Sequence, residues 1–160
     1  MKNTKLLAFI AFIFISTYSQ AQNENFSDQE KEVLEVVNRL FDGMRKGDST
    51  MVRSVFHASA RMQTTYTNAK TGLPVIQTEE NPDKFVKAVG TPHEKIWDER
   101  ILSYKIDVDD NMAIVWTPYE FYAGDTFSHC GVNAFQFFKS EEGWKIIQIT
   151  DTRRKTPCNK

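Results

Sequence analysis

The stretch that decides the fold is MAIVWTPYEFYAGDTFSHCGVNAFQFFKSEEGWKIIQITDTR, residues 112–153. It contains three β-rich segments, 112–123, 126–139 and 144–153, separated only by Gly124-Asp125 and Ser140-Glu141-Glu142-Gly143. Connections that short fold the chain straight back, so neighbouring strands run antiparallel as a meander. A fourth long strand, 96–108, joins the set through Asp109-Asp110-Asn111. Pro118 has no N–H to give to a ladder and therefore marks an edge or a bulge inside 112–123.

The segments before the meander read as helices and a hairpin. Ser27 with Glu30 forms a capping box, after which Val33, Val36, Val37, Leu40, Phe41 and Met44 recur at helical spacing as far as Gly47. Asp48 caps a second, shorter helix whose buried side is Met51, Val52, Val55 and Phe56 and which ends near His57. Residues 61–67 and 73–78 are short strands around the turn Asn68-Ala69-Lys70-Thr71-Gly72. Asn81-Pro82 opens a third helix that turns Phe85, Val86 and Val89 inward and stops at Gly90. Helices on one side of a bent antiparallel sheet make an α+β domain, and strands curved around helices leave space for a cavity.

The N-terminus carries a different signal. Lys2 and Lys5 precede an apolar run from Leu6 to Ile15, and Ser19 and Ala21 flank Gln20. That is the layout of a cleavable signal peptide over residues 1–21. The run is shorter than the roughly 18–20 residues that span a bilayer. The expectation is an exported chain, periplasmic or extracellular, with no stable membrane anchor and one domain over residues 22–160. Without Lys2 and Lys5, 18 basic residues stand against 21 acidic ones. The resulting formal charge of −3 argues against nucleic acid and anionic membrane surfaces as partners. Export also places Cys130 and Cys158 where a disulfide persists; they read either as a clamp tying the tail to the sheet or as two unrelated thiols.

With these elements in order, several residue groups resemble the nuclear transport factor 2-like superfamily. The helix pair ending Val55-Phe56-His57 and the strand Gly143-Trp144-Lys145-Ile146-Ile147 carry the general likeness. The groups Thr91-Pro92-His93 with Trp97-Asp98-Glu99, Trp116 to Phe121, Ser128 to Asn133, and Ile149 to Arg154 look like its putative lumazine-binding branch. The resemblance implies a cone-shaped curved antiparallel sheet wrapped around three helices. It leaves activity open, because the superfamily includes SnoaL-like and ketosteroid-isomerase-like enzymes, dehydratases, carriers and binding proteins.

Candidate chemistry follows from strand alternation. In 126–139, Phe127, His129, Gly131, Asn133 and Phe135 share one face if the strand is regular, with Gly131 leaving room between His129 and Asn133. His129 reads as a general base, a ligand partner, or a histidine satisfied in the core. Asp151 points with Ile147 and Ile149, and its partner is His129, in a proton-transfer pair, or one of Arg100, Arg153 and Arg154. Trp97, Trp116, Tyr119 and Tyr122 can stack on a flat ligand, and Tyr66 and Glu120 are rim candidates. His57, His93 and His129 lack metal-ligand spacing, and no HExxH, CxxC, phosphate loop or GxSxG motif occurs. Neither metal nor cofactor is expected. The reading is a small-molecule-binding domain; the alternatives are a cofactor-free lyase or isomerase using His129 and Asp151, and a structural module that dimerises through its sheet.

Overall fold

The structure, a computed structural model, describes residues 26–156 and 158. Residues 1–21, expected above to be a signal peptide, lie outside them. Helix α1 (Asp28–Lys46) starts as the capping box requires: Glu30 N donates to Ser27 Oγ at 3.3 Å and Ser27 N to Glu30 Oε2 at 2.7 Å. Its stripe Val33, Val37, Leu40, Phe41 and Met44 is buried. Helix α2 (Ser49–Ser54) is capped by Asp48, whose Oδ1 accepts from Met51 N at 2.8 Å. It is shorter than expected, because Phe56 and His57 already belong to β1 (Phe56–Thr67), where Phe56 pairs with Ile146.

Strand β2 (Pro74–Glu79) completes the hairpin, and α3 (Asp83–Gly90) follows. Gly90 matters for packing: a Cβ there would stand 2.8 Å from Ser49, so its absence lets the end of α3 close on the start of α2. The expected single strand 96–108 is two, β3 (Trp97–Ile101) and β4 (Lys105–Asp109), both laid on β5 (Met112–Ala123). Pro118 is the cause. Its carbonyl accepts from Leu102 N at 2.9 Å, and in an antiparallel strand its nitrogen faces the same neighbour. That neighbour finds no donor there, so β3 leaves the ladder after Ile101 and β4 takes it up at Lys105.

Strands β6 (Thr126–Ser140) and β7 (Gly143–Arg153) finish an open sheet ordered β2-β1-β7-β6-β5-β3, with β4 also on β5. One pairing departs from the expected antiparallel plan: β1 and β7 are parallel, with Thr64 opposite Asp151. No turn joins these two, so hairpin geometry does not govern their direction. Register shifts at Phe121/Tyr122 and Gln136/Phe137 bend the long strands. The core fills one half of the concave face, where Phe41 meets Phe135 edge-on at 6.2 Å and Phe137 and Ile146 are fully buried.

A candidate ligand cavity

Toward the other half of the concave face the apolar filling stops. A cavity of about 390 Å³ opens there between α1, α3 and the sheet. Leu40, Phe41, Met44, Phe85, Trp97 and Phe121 supply much of its apolar wall, while Glu99, His129, Asn133, Asp151 and Arg153 make its polar wall. Alternation explains who arrives. Trp97 and Glu99 are two apart on β3, Asn133 and Phe135 on β6, Asp151 and Arg153 on β7.

Strand β6 is not regular throughout. Phe121 pairs with His129 but Tyr122 with Phe127, so Ser128 is an extra residue. This bulge keeps His129 on the cavity side and turns Phe127 outward, edge-on to Tyr122 at 5.7 Å, correcting the expectation that Phe127 shares the face of His129. The expected room at Gly131 is also absent. A Cβ there would lie 1.8 Å from the Thr152 carbonyl oxygen and 2.9 Å from the Tyr119 ring, so glycine is present because backbone and ring fill its place.

That crowding anchors the polar wall. Tyr119 OH donates a shared proton to Thr152 O at 3.0 Å and Asp151 Oδ2 at 3.2 Å. Asp151 also accepts from Thr64 Oγ1 at 2.6 Å and Arg153 Nε at 2.8 Å. Among the described residues no hydrogen bond joins His129 to Asp151. His129 Nδ1 instead meets Ser128 Oγ at 3.1 Å, and its ring stacks on Phe121 at 5.0 Å. Burial depresses the His129 pKa, Arg153 depresses it further, and Asp151 opposes them. The proton-transfer pair weighed from the sequence is therefore two separately held groups on one wall. Asp151→Ala is expected to lower stability by about 2 kcal/mol, because it takes the acceptor from Thr64 Oγ1 and the carboxylate from Arg153 together, while Tyr119 OH keeps Thr152 O; urea denaturation checks it.

Glu99 is the residue that sequence reasoning missed. Asn133 Nδ2 donates to its Oε1 at 2.7 Å and to Thr117 Oγ1 at 3.4 Å. Burial pushes the Glu99 carboxyl up to about 7; the Asn133 hydrogen bond opposes this, Asp151 adds to it, and Arg153 opposes it more weakly. The usable signal was its spacing of two from Trp97, a residue already placed in the cavity.

The other candidates lie elsewhere. Tyr119 sits beneath the polar wall and not in the lining. Trp116 is 51% exposed on the outer face, and Glu120 is turned toward Tyr122, which donates to it at 3.1 Å. Both hold even positions of β5, whose buried inward positions are Ala113, Val115, Thr117 and Tyr119. Tyr66 is outside the lining, at the end of β1 opposite Arg153. Cys130, buried beside His129, is bonded to Cys158 with the Cα atoms 5.6 Å apart. Paired backbone bonds between Cys130 and Arg154, both 2.9 Å, hold the chain just beyond Arg153. Among the described residues no group of three His, Cys, Asp or Glu could hold a metal ion, and no helix is long and apolar enough to cross a membrane.

A helix-backed, open and bent sheet with a cavity on its concave face is the architecture of the nuclear transport factor 2-like proteins, and solved structures match it. One is a nuclear transport factor 2-like protein with a cystatin-like fold from Novosphingobium aromaticivorans (TM-score 0.64, 11% identity, 81% of this chain and 84% of that one). A second is a superfamily member from Salmonella enterica serovar Typhimurium (TM-score 0.61, 18% identity, 81% and 94%). A third, from Shewanella frigidimarina, is described as a putative ketosteroid isomerase (TM-score 0.56, 13% identity, 78% and 97%). Within this class, the family described as "Putative lumazine-binding" matches residues 28–150, and the chain belongs to it. No curated protein matches the chain.

Proposed function

We propose that this protein is exported and binds a small, flat, partly aromatic molecule in the cavity between helices and sheet. The observation that carries the reading is the cavity itself: about 390 Å³, walled by aromatic and aliphatic side chains, with polar groups gathered on one wall. Such a site holds a ring by burial and stacking and orients it with a few hydrogen bonds. The family description, lumazine-binding, supports a heteroaromatic occupant. Native mass spectrometry of the protein purified from its own host is expected to show a retained small molecule on a chain beginning at Gln22. A bare chain at every gentle ionisation setting speaks against the ligand, and a chain retaining residues 1–21 speaks against export.

A second reading concerns the outer face. Met112, Ile114 and Trp116 along β5, with Phe138 beside them, are 37–53% exposed and form an apolar row. Exposed Lys105 stands beside Trp116 at one end of that row, Asp107 beside Ile114 at its middle and Asp109 beside Met112 at the other end. A two-fold axis through the row sets opposite charges against each other, which suits pairing of two copies. Trp116→Glu is expected to turn a dimer into a monomer in sedimentation velocity, with ligand binding unchanged.

A further inference from the structure

Hydrogen-bonding capacity left over on the polar wall describes the edge of the molecule that fits it. Asn133 has both amide N–H groups engaged, on Glu99 and Thr117, which among the described residues leaves Oδ1 without a protein donor. The second oxygen of Glu99 has none either. Neither atom is sealed in, since among the described residues the buried side-chain polar atom that lacks a partner is Trp144 Nε1. Arg153 gives Nε to Asp151, and among the described residues no protein partner takes its terminal amino groups. All three side chains line the cavity. The wall thus presents two neighbouring acceptors, Glu99 and Asn133, together with a donor, Arg153.

We propose that the cavity reads a planar nitrogen heterocycle bearing an amino group, a ring N–H and a carbonyl along one edge, with Glu99 deciding between that edge and its dioxo counterpart. This rests on the ligand-binding reading above and deepens it. The amino group and ring N–H donate to Glu99 and Asn133, and the carbonyl accepts from Arg153. A pterin carries that edge. Lumazine carries a carbonyl where pterin carries the amino group, and this would set an acceptor against acceptors inside an apolar pocket, where unmatched polar groups are rejected strongly.

Protonation of Glu99 changes the match, because a neutral carboxyl can donate to a carbonyl. The groups facing Glu99 are Tyr119 from β5, His129 from β6, and Asp151 and Arg153 from β7. From α1, Arg45 pairs with Asp98 instead, and α3 contributes uncharged Phe85 and Ala88. Glu99 is the carboxyl whose titration is raised into the neutral range.

Calorimetric titration of pterin and of lumazine into the protein, purified from its host and freed of small molecules, tests this. Pterin is expected to bind at least about tenfold more tightly than lumazine near pH 7.5. The ratio is expected to shrink near pH 5.5, as Glu99 gains its proton. Taking the ratio at each pH cancels ionisation common to both rings. Glu99→Gln is expected to remove both the preference and its pH dependence, and a pH dependence that survives the substitution counts against Glu99 as its source. Equal or tighter lumazine binding near pH 7.5, or an unchanged preference in Glu99→Gln, overturns the proposal. Binding of neither ring also overturns it, whereas the broader reading fails only if no small molecule is retained by the native protein.

Discussion

Gly131→Ala is expected to destabilise the protein by about 4 kcal/mol or more and to leave little folded material, because the added methyl has nowhere to go. The atom it would strike at 1.8 Å is the carbonyl oxygen of Thr152, part of the backbone of a neighbouring strand. A flexible side-chain tip could swing away; this carbonyl cannot without breaking what holds it. It accepts from Tyr119 OH, while Thr152 Oγ1 accepts from Val132 N at 3.0 Å. Two residues on, Cys130 and Arg154 are locked by paired backbone bonds and by the disulfide. Moving Thr152 therefore disturbs Tyr119, then Asp151, then the cavity wall. A urea midpoint shift measures the loss, and Gly131→Ala as soluble and stable as the parent would refute this account of the wall.

Glu99→Gln should act in the opposite direction, stabilising the protein above neutral pH by up to about 3 kcal/mol. The unfolded chain releases the Glu99 proton near its ordinary 4.5, whereas the folded protein holds it to about 7. Between those values the native state binds more protons than the unfolded state, so stability falls as pH rises and levels off above 7. Glutamine still accepts from Asn133 Nδ2 but has no proton to lose. The difference between variant and parent in chemical denaturation should be small near pH 4.5 and grow through pH 7. A difference that is flat across that range would show that the carboxyl is not held neutral by the fold. A residue kept at such a cost to stability in a cavity wall fits a role toward a ligand.

Much of the fold was legible from local chemistry. The capping box at Ser27 and Glu30, Asp48 at the head of α2 and the short turns of the meander use neighbours a few residues apart, and each stands where the sequence put it. Period-two alternation likewise carried Trp97, His129, Asn133 and Asp151 to the cavity face. It failed for Trp116 and Glu120, because alternation says which residues share a face and not which face closes over the helices. It failed for Phe127 because one inserted residue, Ser128, inverts the pattern for everything before it.

The sequence by itself determined the order of elements and the antiparallel return of β5, β6 and β7, since these rest on spacing, turns and caps along one stretch of chain; the likeness to the family rests on its residue groups. Tertiary structure alone decided the parallel seam of β1 with β7, the break between β3 and β4 opposite Pro118, and the company each polar group keeps. Thr64 and Asp151 meet across 87 residues, and Glu99 and Asn133 across 34. Such meetings depend on how strands are laid side by side and how closely backbones approach, which periodicity does not encode. The aromatic character of the cavity was written in the chain; the hydrogen-bonding pattern on its wall came into being only when the strands were brought together.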